Sequence, residues 1–431
     1  MFHDSVRVPE EVGLGTAKVH LSFDAWKAGQ IAPATLMVPI VEPKPKPEGA
    51  EHRQRPDPKV ADSKELRRTL RHDGPIGGLA YTPDGRLLAT LDEDARGTGN
   101  TGVHLWDAAT GKRRATLPLH PKNCEAFSLR IDPAGKLLAV ATREVKMRAD
   151  DPHRYEGWRA WSVIVWDIAA GKEKAVFREE QPSTASVLAF DGDSLLLALQ
   201  EGEPWKKPTQ SSRVIRLNPV SGEKKNIYES KERECGVAAV SPDGRFALLV
   251  LESSAKTVTT EVRLLDLKTG QTRHLWETRW AVLSAGTFSP DGKTVAVFLW
   301  NKLRFWDVPS RKERTELSER YAAFWKQPEN ERLGRILAMR FSPDGKLLAV
   351  AHEVLDIPSR RNITEIVLWD LAAGEARTIL RGHTSYIFRM AFTPDGRTLA
   401  TGGFDKRVKL WNVPPPAENT TRTNSGQTKQ P

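Results

Sequence analysis

Between Ala391 and Trp411 the chain reads AFTPDGRTLATGGFDKRVKLW: an apolar–polar alternation, a tight turn, a second alternation, and a third run ending in tryptophan. A period of two marks half-buried antiparallel strands. The turn Thr393-Pro394-Asp395-Gly396 has its own chemistry. Proline presets φ, aspartate can bond nearby backbone, and glycine supplies a positive φ. The same turn recurs at Thr82–Gly85, Asp132–Gly135, Phe190–Asp193, Ser241–Gly244, Ser289–Gly292 and Ser342–Gly345. A second signature follows each copy at the end of a third run. It stands at Leu105–Asp107, Val165–Asp167, Arg216–Asn218, Leu264–Asp266, Phe305–Asp307, Leu368–Asp370 and Leu410–Asn412. Two independent signals give seven repeats spaced as propeller blades require.

A further run follows most of these signatures: Lys112–Leu117, Lys172–Phe177, Gln271–Trp276, Lys312–Leu317 and Glu375–Leu380. These predict the outermost, fourth strand of each blade. The last repeat instead runs into Pro414-Pro415-Pro416, which cannot continue a ladder. Ser63–Leu70 (SKELRRTL) matches the fourth-strand pattern but precedes the first repeat. It is expected to complete the seventh blade and so close the ring, leaving only short protected edges.

The chain resembles the WD40 repeat β-propellers, in particular bacterial-type WD40 repeat proteins, over residues 63–416. The resemblance implies an all-β, seven-bladed propeller. It also implies a hydrogen-bonded set in each blade: a histidine before the first strand, a Ser or Thr on the second, an aspartate in the turn after it, and the third-strand tryptophan. The last blade holds the whole set as His383, Thr401, Asp405 and Trp411. The first keeps His72, Thr90 and Trp106, with its aspartate obscured by an insertion. The set looks like a catalytic constellation. A fully satisfied buried network that fixes the blade explains it better.

Outside the repeat, residues 1–42 hold two alternating runs, Thr16–Phe23 and Ala34–Val41, which predict a β-hairpin. A lone hairpin is marginal in water. It packs on the propeller or a partner chain, or is the remnant of a β-sandwich. Residues 43–62, with Pro43, Pro45, Pro47, Pro56 and Pro58 among charges, read as an extended linker. Residues 417–431 are polar, without aromatic residues, and read as a disordered tail.

Composition narrows the function classes. The two cysteines, Cys124 and Cys235, offer neither a disulfide framework nor metal-ligand spacing. Residues 1–15 lack a secretory leader pattern, and the most apolar early stretch, Ile31–Val41, is too short and proline-broken to span a membrane. A cytoplasmic setting is expected. The net charge of +10 suggests nucleic acid at first sight. Nearly all of the excess falls in the fourth-strand segments, where basic residues protect exposed edges and form no single patch. Nucleic-acid binding is not expected.

Motif searches for nucleophile elbows, phosphate loops, zinc signatures and paired carboxylates find nothing. No catalytic residue, metal or cofactor is predicted.

The loops carry the remaining signal. The turns joining first to second and third to fourth strands are short and uniform. Those on the opposite face vary widely, with long stretches at Arg143–Trp161, Gln200–Ser212, Ser318–Arg335 and His352–Thr364. They present Arg154, Tyr155, Trp158, Arg159 and Trp161; Trp205, Lys206 and Lys207; and Tyr321, Phe324, Trp325 and Lys326. Aromatic and arginine side chains are the usual anchors of protein interfaces. The competing assignment is that these aromatics pin their own loops to the propeller. The resulting expectation is a non-catalytic scaffold that binds proteins or peptides through this face. The alternatives are an enzyme or small-ligand binder using the central channel, or a regulatory module of a larger assembly.

Overall fold

The computed structural model describes residues 15–21, 34–40, 60–61, 65–92, 102–120, 124–147, 155–180, 183–201, 212–230, 233–253, 259–279, 283–299, 302–325, 333–356 and 361–415. The chain divides into two compact units, Met1–Arg55 and Pro56–Pro431. In the first, Gly15–Leu21 pairs antiparallel with Ala34–Ile40 as a hairpin.

The second unit is a seven-bladed β-propeller. Its blades are antiparallel sheets taken in chain order. Blade one runs Ile76–Tyr81, Leu87–Asp92, Gly102–Asp107 and Arg113–Pro118. Blade two runs Cys124–Ile131, Leu137–Met147, Tyr155–Asp167 and Lys172–Glu179. Blades three, four and five start at Ser183, Arg233 and Leu283. Blade six runs Leu333–Phe341, Leu347–Asp356, Arg361–Asp370 and Glu375–His383. Blade seven is Ile387–Phe392, Thr398–Gly403 and Arg407–Asn412. Its fourth strand is Leu66–Arg71 from the other end of the repeat region, with Val408 opposite Leu70 and Leu410 opposite Arg68. The ring therefore closes by strand pairing, as a propeller must to hide its edges.

The repeated motifs each have a structural task. Asp107, Asp266 and Asp370, which end third strands, cap the next turn by accepting backbone N–H bonds from Thr110, Thr269 and Ala373. The first-strand turn uses its hydroxyl twice. Thr82 Oγ1 accepts the Leu87 N–H at 3.0 Å and donates to Asp84 at 2.6 Å. The turn glycine Gly135, at φ 70°, lies where an added Cβ would meet the Pro83 ring of the preceding blade at 3.1 Å. The PDG-type turn thus also spaces neighbouring blades.

Among the described residues the core falls into seven clusters, each lying between two consecutive blades. The third-strand tryptophan inserts toward the preceding blade. Trp166 packs with Leu91, Val103 and Leu105 of blade one, and Trp411 with Ile366 and Leu368 of blade six. The last cluster joins Leu70, Val408 and Leu410 to Ile76, Leu88 and Trp106, so the closing strand also seals the apolar ring.

Three expectations change. Lys312–Leu317 is not a fourth strand: only Lys312–Glu313 pairs, and a helix follows at Thr315–Trp325. Leu317, Tyr321 and Phe324 sit at helical spacing, so pairing as a strand would split them between two faces. As a helix they form one stripe against Trp369 and Phe305. The long stretches at Arg143–Trp161 and His352–Thr364 are mostly not irregular loops. They are extended β-ribbons in which Arg143 pairs Trp161 and His352 pairs Glu365. The linker end is not free either. Val60–Ala61 lies parallel to Ile379–Leu380 on the outer edge of blade six.

Candidate functional site

The two faces of the ring differ. One carries the short turns. The other carries the ribbons of blades two and six, raised by strands that continue from the blade core. The blade-two ribbon bears a charged network: Arg143 bonds Glu125, and Glu144 receives Arg178 at 2.7 Å and Arg159 at 3.6 Å. On blade six, Glu353 meets Arg335 at 3.3 Å and accepts the Tyr386 hydroxyl at 2.9 Å. Beside it lies an aromatic row in blade seven. Tyr386 and Phe388 rings are 6.2 Å apart, Phe388 and Phe404 meet edge-on at 5.2 Å, and Phe404 is 48% exposed. The sequence reading missed this row because its members are spread over a loop, a strand and a turn. The placement of Tyr386 and Phe404 just outside strand ends is the one signal that could have flagged it.

The expected anchors divide. Trp161 is fully buried in the blade-two sheet and packs on Phe177 at 5.3 Å. Tyr321 is buried and meets Trp369 edge-on at 5.1 Å. Phe324 is half-buried on the same tryptophan at 5.1 Å. These three belong to the core; as surface anchors they are corrected, because strand alternation and helix periodicity turn them inward. Arg159 is exposed on the ribbon. Tyr155 and Trp158 lie on its returning strand and Trp325 ends the helix, their side chains outside the described residues. Arg154, Trp205, Lys206, Lys207 and Lys326 lie wholly outside them.

In blade seven, His383 Nδ1 lies 2.7 Å from Asp405, its Nε2 2.7 Å from Thr401 Oγ1, and Trp411 Nε1 donates to Thr401 at 2.8 Å. Burial pushes His383 down. Burial alone would raise Asp405, but the bond and charge of His383 together with the backbone N–H groups of Thr384 and Arg407 bring the carboxyl below its ordinary value. Blade one differs. Trp106 Nε1 donates to Thr90 at 2.8 Å, while the carboxylate is Asp92, at the end of the second strand. Asp92 lies 2.5 Å from His72 Nδ1 and 3.2 Å from Nε2 of a second histidine, His104, whose Nδ1 is 3.0 Å from Thr116. Again burial would raise Asp92 and the histidine bonds bring it down. His72, Asp92 and His104 are the described residues whose atoms stand close enough to hold a metal ion. Their mutual hydrogen bonds already account for the grouping.

Beneath the helix, where blade five lacks a full fourth strand, a half-open cleft of about 590 Å³ lies between blades five and six. Arg314, Asp291 and Asp344 line it. Both carboxylates belong to first-strand turns. Asp291 is held low chiefly by its bond from Ser289; burial would raise Asp344, but the Ser342 bond, the Lys346 N–H and the Lys346 charge together bring it down.

The WD40 family model, described as WD domain, G-beta repeat, matches residues 64–107 and 374–412. Each window starts at or near a fourth strand and ends on a third, the offset by which the ring closes. Over these two windows the chain carries WD40 repeats. Coronin-7 of Rattus norvegicus is 26% identical over 234 residues, 54% of this chain and 23% of the relative. The guanine nucleotide-binding protein subunit beta of Schizosaccharomyces pombe is 35% identical over 77 residues, 18% of this chain and 22% of that protein. The chain thus spans about a quarter of the length of the Coronin-7 proteins it matches. A chain in a crystal structure of the mitotic checkpoint complex superposes with a TM-score of 0.57 at 14% identity, covering 87% of this chain and 99% of that one. That likeness shows the fold. The relatives named here are eukaryotic and lend the bacterial-type expectation no support. No helix among the described residues is long and apolar enough to cross a membrane.

Proposed function

We propose that this WD40 propeller is a non-catalytic scaffold that docks protein or peptide partners on the face carrying the two β-ribbons. The observation that carries the reading is the asymmetry between faces. Seven short turns lie on one side. On the other, ribbons rise from the sheets of blades two and six and flank the row of half-buried Tyr386 and Phe388 and exposed Phe404. Ribbons held by ladder hydrogen bonds are already ordered, so a partner meets them at little entropic cost. Arg159 and the aromatic row supply interface anchors. The beta subunit among the similar proteins is by name part of an assembly, which suits this reading.

The test shortens the blade-two ribbon by replacing residues 148–154 with a two-residue turn and, separately, replaces Phe404 with alanine. Val220→Asp on the opposite face, where Val220 is exposed, is the control. Partners cross-linked to the full chain in its native cells should be lost from the ribbon and Phe404 variants and kept by Val220→Asp. Retention by both face variants would reject this face as the docking surface.

A further inference from the structure

Ring closure sets Leu66–Arg71 at the outer edge of blade seven, beside blade one. Contrary to the expectation of scattered basic edges, cations gather at this seam. Arg71 stands directly opposite Arg407 across the strand pair, and both are exposed. Like charges directly opposite one another destabilise a ladder. At the other end of the strand, Arg67 Nη2 donates to the Ala109 carbonyl of blade one at 3.2 Å. Arg68 lies over Gly111 of the same turn, where an added Cβ would collide with its Cδ and Nη1. Lys112 and Arg113 follow that turn and are exposed, with the Arg113 guanidinium 5.9 Å from the Trp106 ring.

Blades one, two, three and six each pair an outer-strand cation with a carboxylate: Arg114 with Asp107, Arg178 with Glu144, Lys224 with Glu179 and Arg377 with Asp370. Among the described residues no carboxylate pairs with Arg67, Arg68, Arg71, Arg113 or Arg407. The acids beside them are already engaged, Asp107 by Arg114 and Thr110 and Asp405 by His383. Charge that only keeps chains from joining edge to edge works as well when partly offset, as on the other blades. A stripe without offset leaves a positive field along the edge.

The edge also offers backbone. Leu66–Arg71 is the last strand of its sheet, whereas the same edge of blade six takes Val60–Ala61 as a fifth strand, Val60 opposite Ile379. The His72 N–H bonds the Lys406 carbonyl at 3.1 Å, so alternation turns Leu70 toward the third strand and the N–H and C=O of Thr69 and Arg71 outward. An edge of this kind can add an extended peptide through main-chain hydrogen bonds. The arginines along it repel basic strands and favour an acidic one. Nucleic acid fits less well, because residues 65–71 and 112–118 hold no aromatic side chain on which a base could stack. We infer that the blade-seven edge, together with Lys112 and Arg113 of blade one, docks an extended acidic segment of a partner protein by strand addition. This surface lies on the rim, apart from the ribbon-bearing face.

Fluorescence anisotropy at low salt tests this, with the full chain titrated into a labelled peptide of alternating glutamate and threonine. Saturable binding is expected. Arg67→Glu/Arg71→Glu should weaken it by about tenfold to a hundredfold. Lys172→Glu/Lys174→Glu makes the same charge change on the blade-two edge, where both lysines are exposed, and should leave binding nearly unchanged. If the arginine variant does not fold, Arg67→Gln/Arg71→Gln, which removes charge without reversing it, carries the comparison. A peptide of equal charge with proline in place of threonine lacks half of the main-chain donors and should bind about tenfold more weakly. No saturable binding by the wild type, equal loss in the arginine and lysine variants, or undiminished binding of the proline peptide overturns the proposal. So does an oligothymidylate of equal charge that binds more tightly and displaces the peptide, which would assign the surface to nucleic acid.

Discussion

The helix that replaces a strand in blade five can be read through one histidine. Tyr321 Oη lies 2.6 Å from His352 Nε2, and the rings stack at 6.2 Å. The short contact suits a neutral imidazole whose Nε2 accepts the phenolic O–H. Burial drives His352 down to about 3. An unfolded histidine titrates near 6.5. As pH falls below that value the unfolded chain takes up a proton that the folded chain refuses. The stability attached to His352 is therefore complete above about pH 6.5 and is lost on acidification toward pH 3. The loss grows by about 1.4 kcal/mol per pH unit, reaching on the order of 2 kcal/mol at pH 5. His352→Gln keeps an acceptor for Tyr321 but cannot titrate. Urea unfolding of both chains, followed by tryptophan fluorescence at about pH 8 and pH 5, measures the difference. The variant should be less stable at the higher pH, yet lose about 2 kcal/mol less between the two. Other acid-sensitive groups, including His383, Asp92 and Asp405, titrate in both chains and cancel in the comparison. Equal acid losses would refute a buried, neutral His352 and with it the packing of the helix on blade six.

Other outcomes follow from single positions. Arg311 occupies the third-to-fourth-strand turn of blade five at φ 62°, where blades one to four and six place glycine; Arg311→Gly should stabilise the protein by about 0.5–1 kcal/mol, read as a raised melting temperature. Deleting residues 63–71 should lower the melting temperature of the whole propeller, because it exposes the third strand of blade seven and the Val408–Leu410 side of the last cluster; an unchanged melting curve would reject the closure. Trp161→Ala should cost about 3–5 kcal/mol of stability, as a core truncation does, whereas a surface anchor would leave the unfolding midpoint in place.

The propeller was written in local chemistry. The PDG-type turn, the Asp or Asn after each third-strand run and, in five blades, the tryptophan before it act within a few residues of themselves, so the sevenfold recurrence of turn and strand end fixed the number of blades. The stop at Pro414 and the orphan strand pattern at residues 63–70 fixed how the ring closes, since a ladder edge must find a partner. The alternation of apolar positions also placed the strands. Where reading failed, two local patterns competed and a neighbour decided. Lys312–Leu317 matched the fourth-strand template, yet the Leu317, Tyr321 and Phe324 spacing made a helix once Trp369 offered a surface to cover. Long intervals between motifs looked like free loops, but cross-strand pairing carried blades two and six outward as ribbons and turned Trp161 into the core. Arg389 in blade seven and Gly77 in blade one are far apart in the chain. Only ring closure lets the Arg389 guanidinium donate to the Gly77 carbonyl, because a hydrogen bond depends on distance in space and leaves no mark on the order of residues.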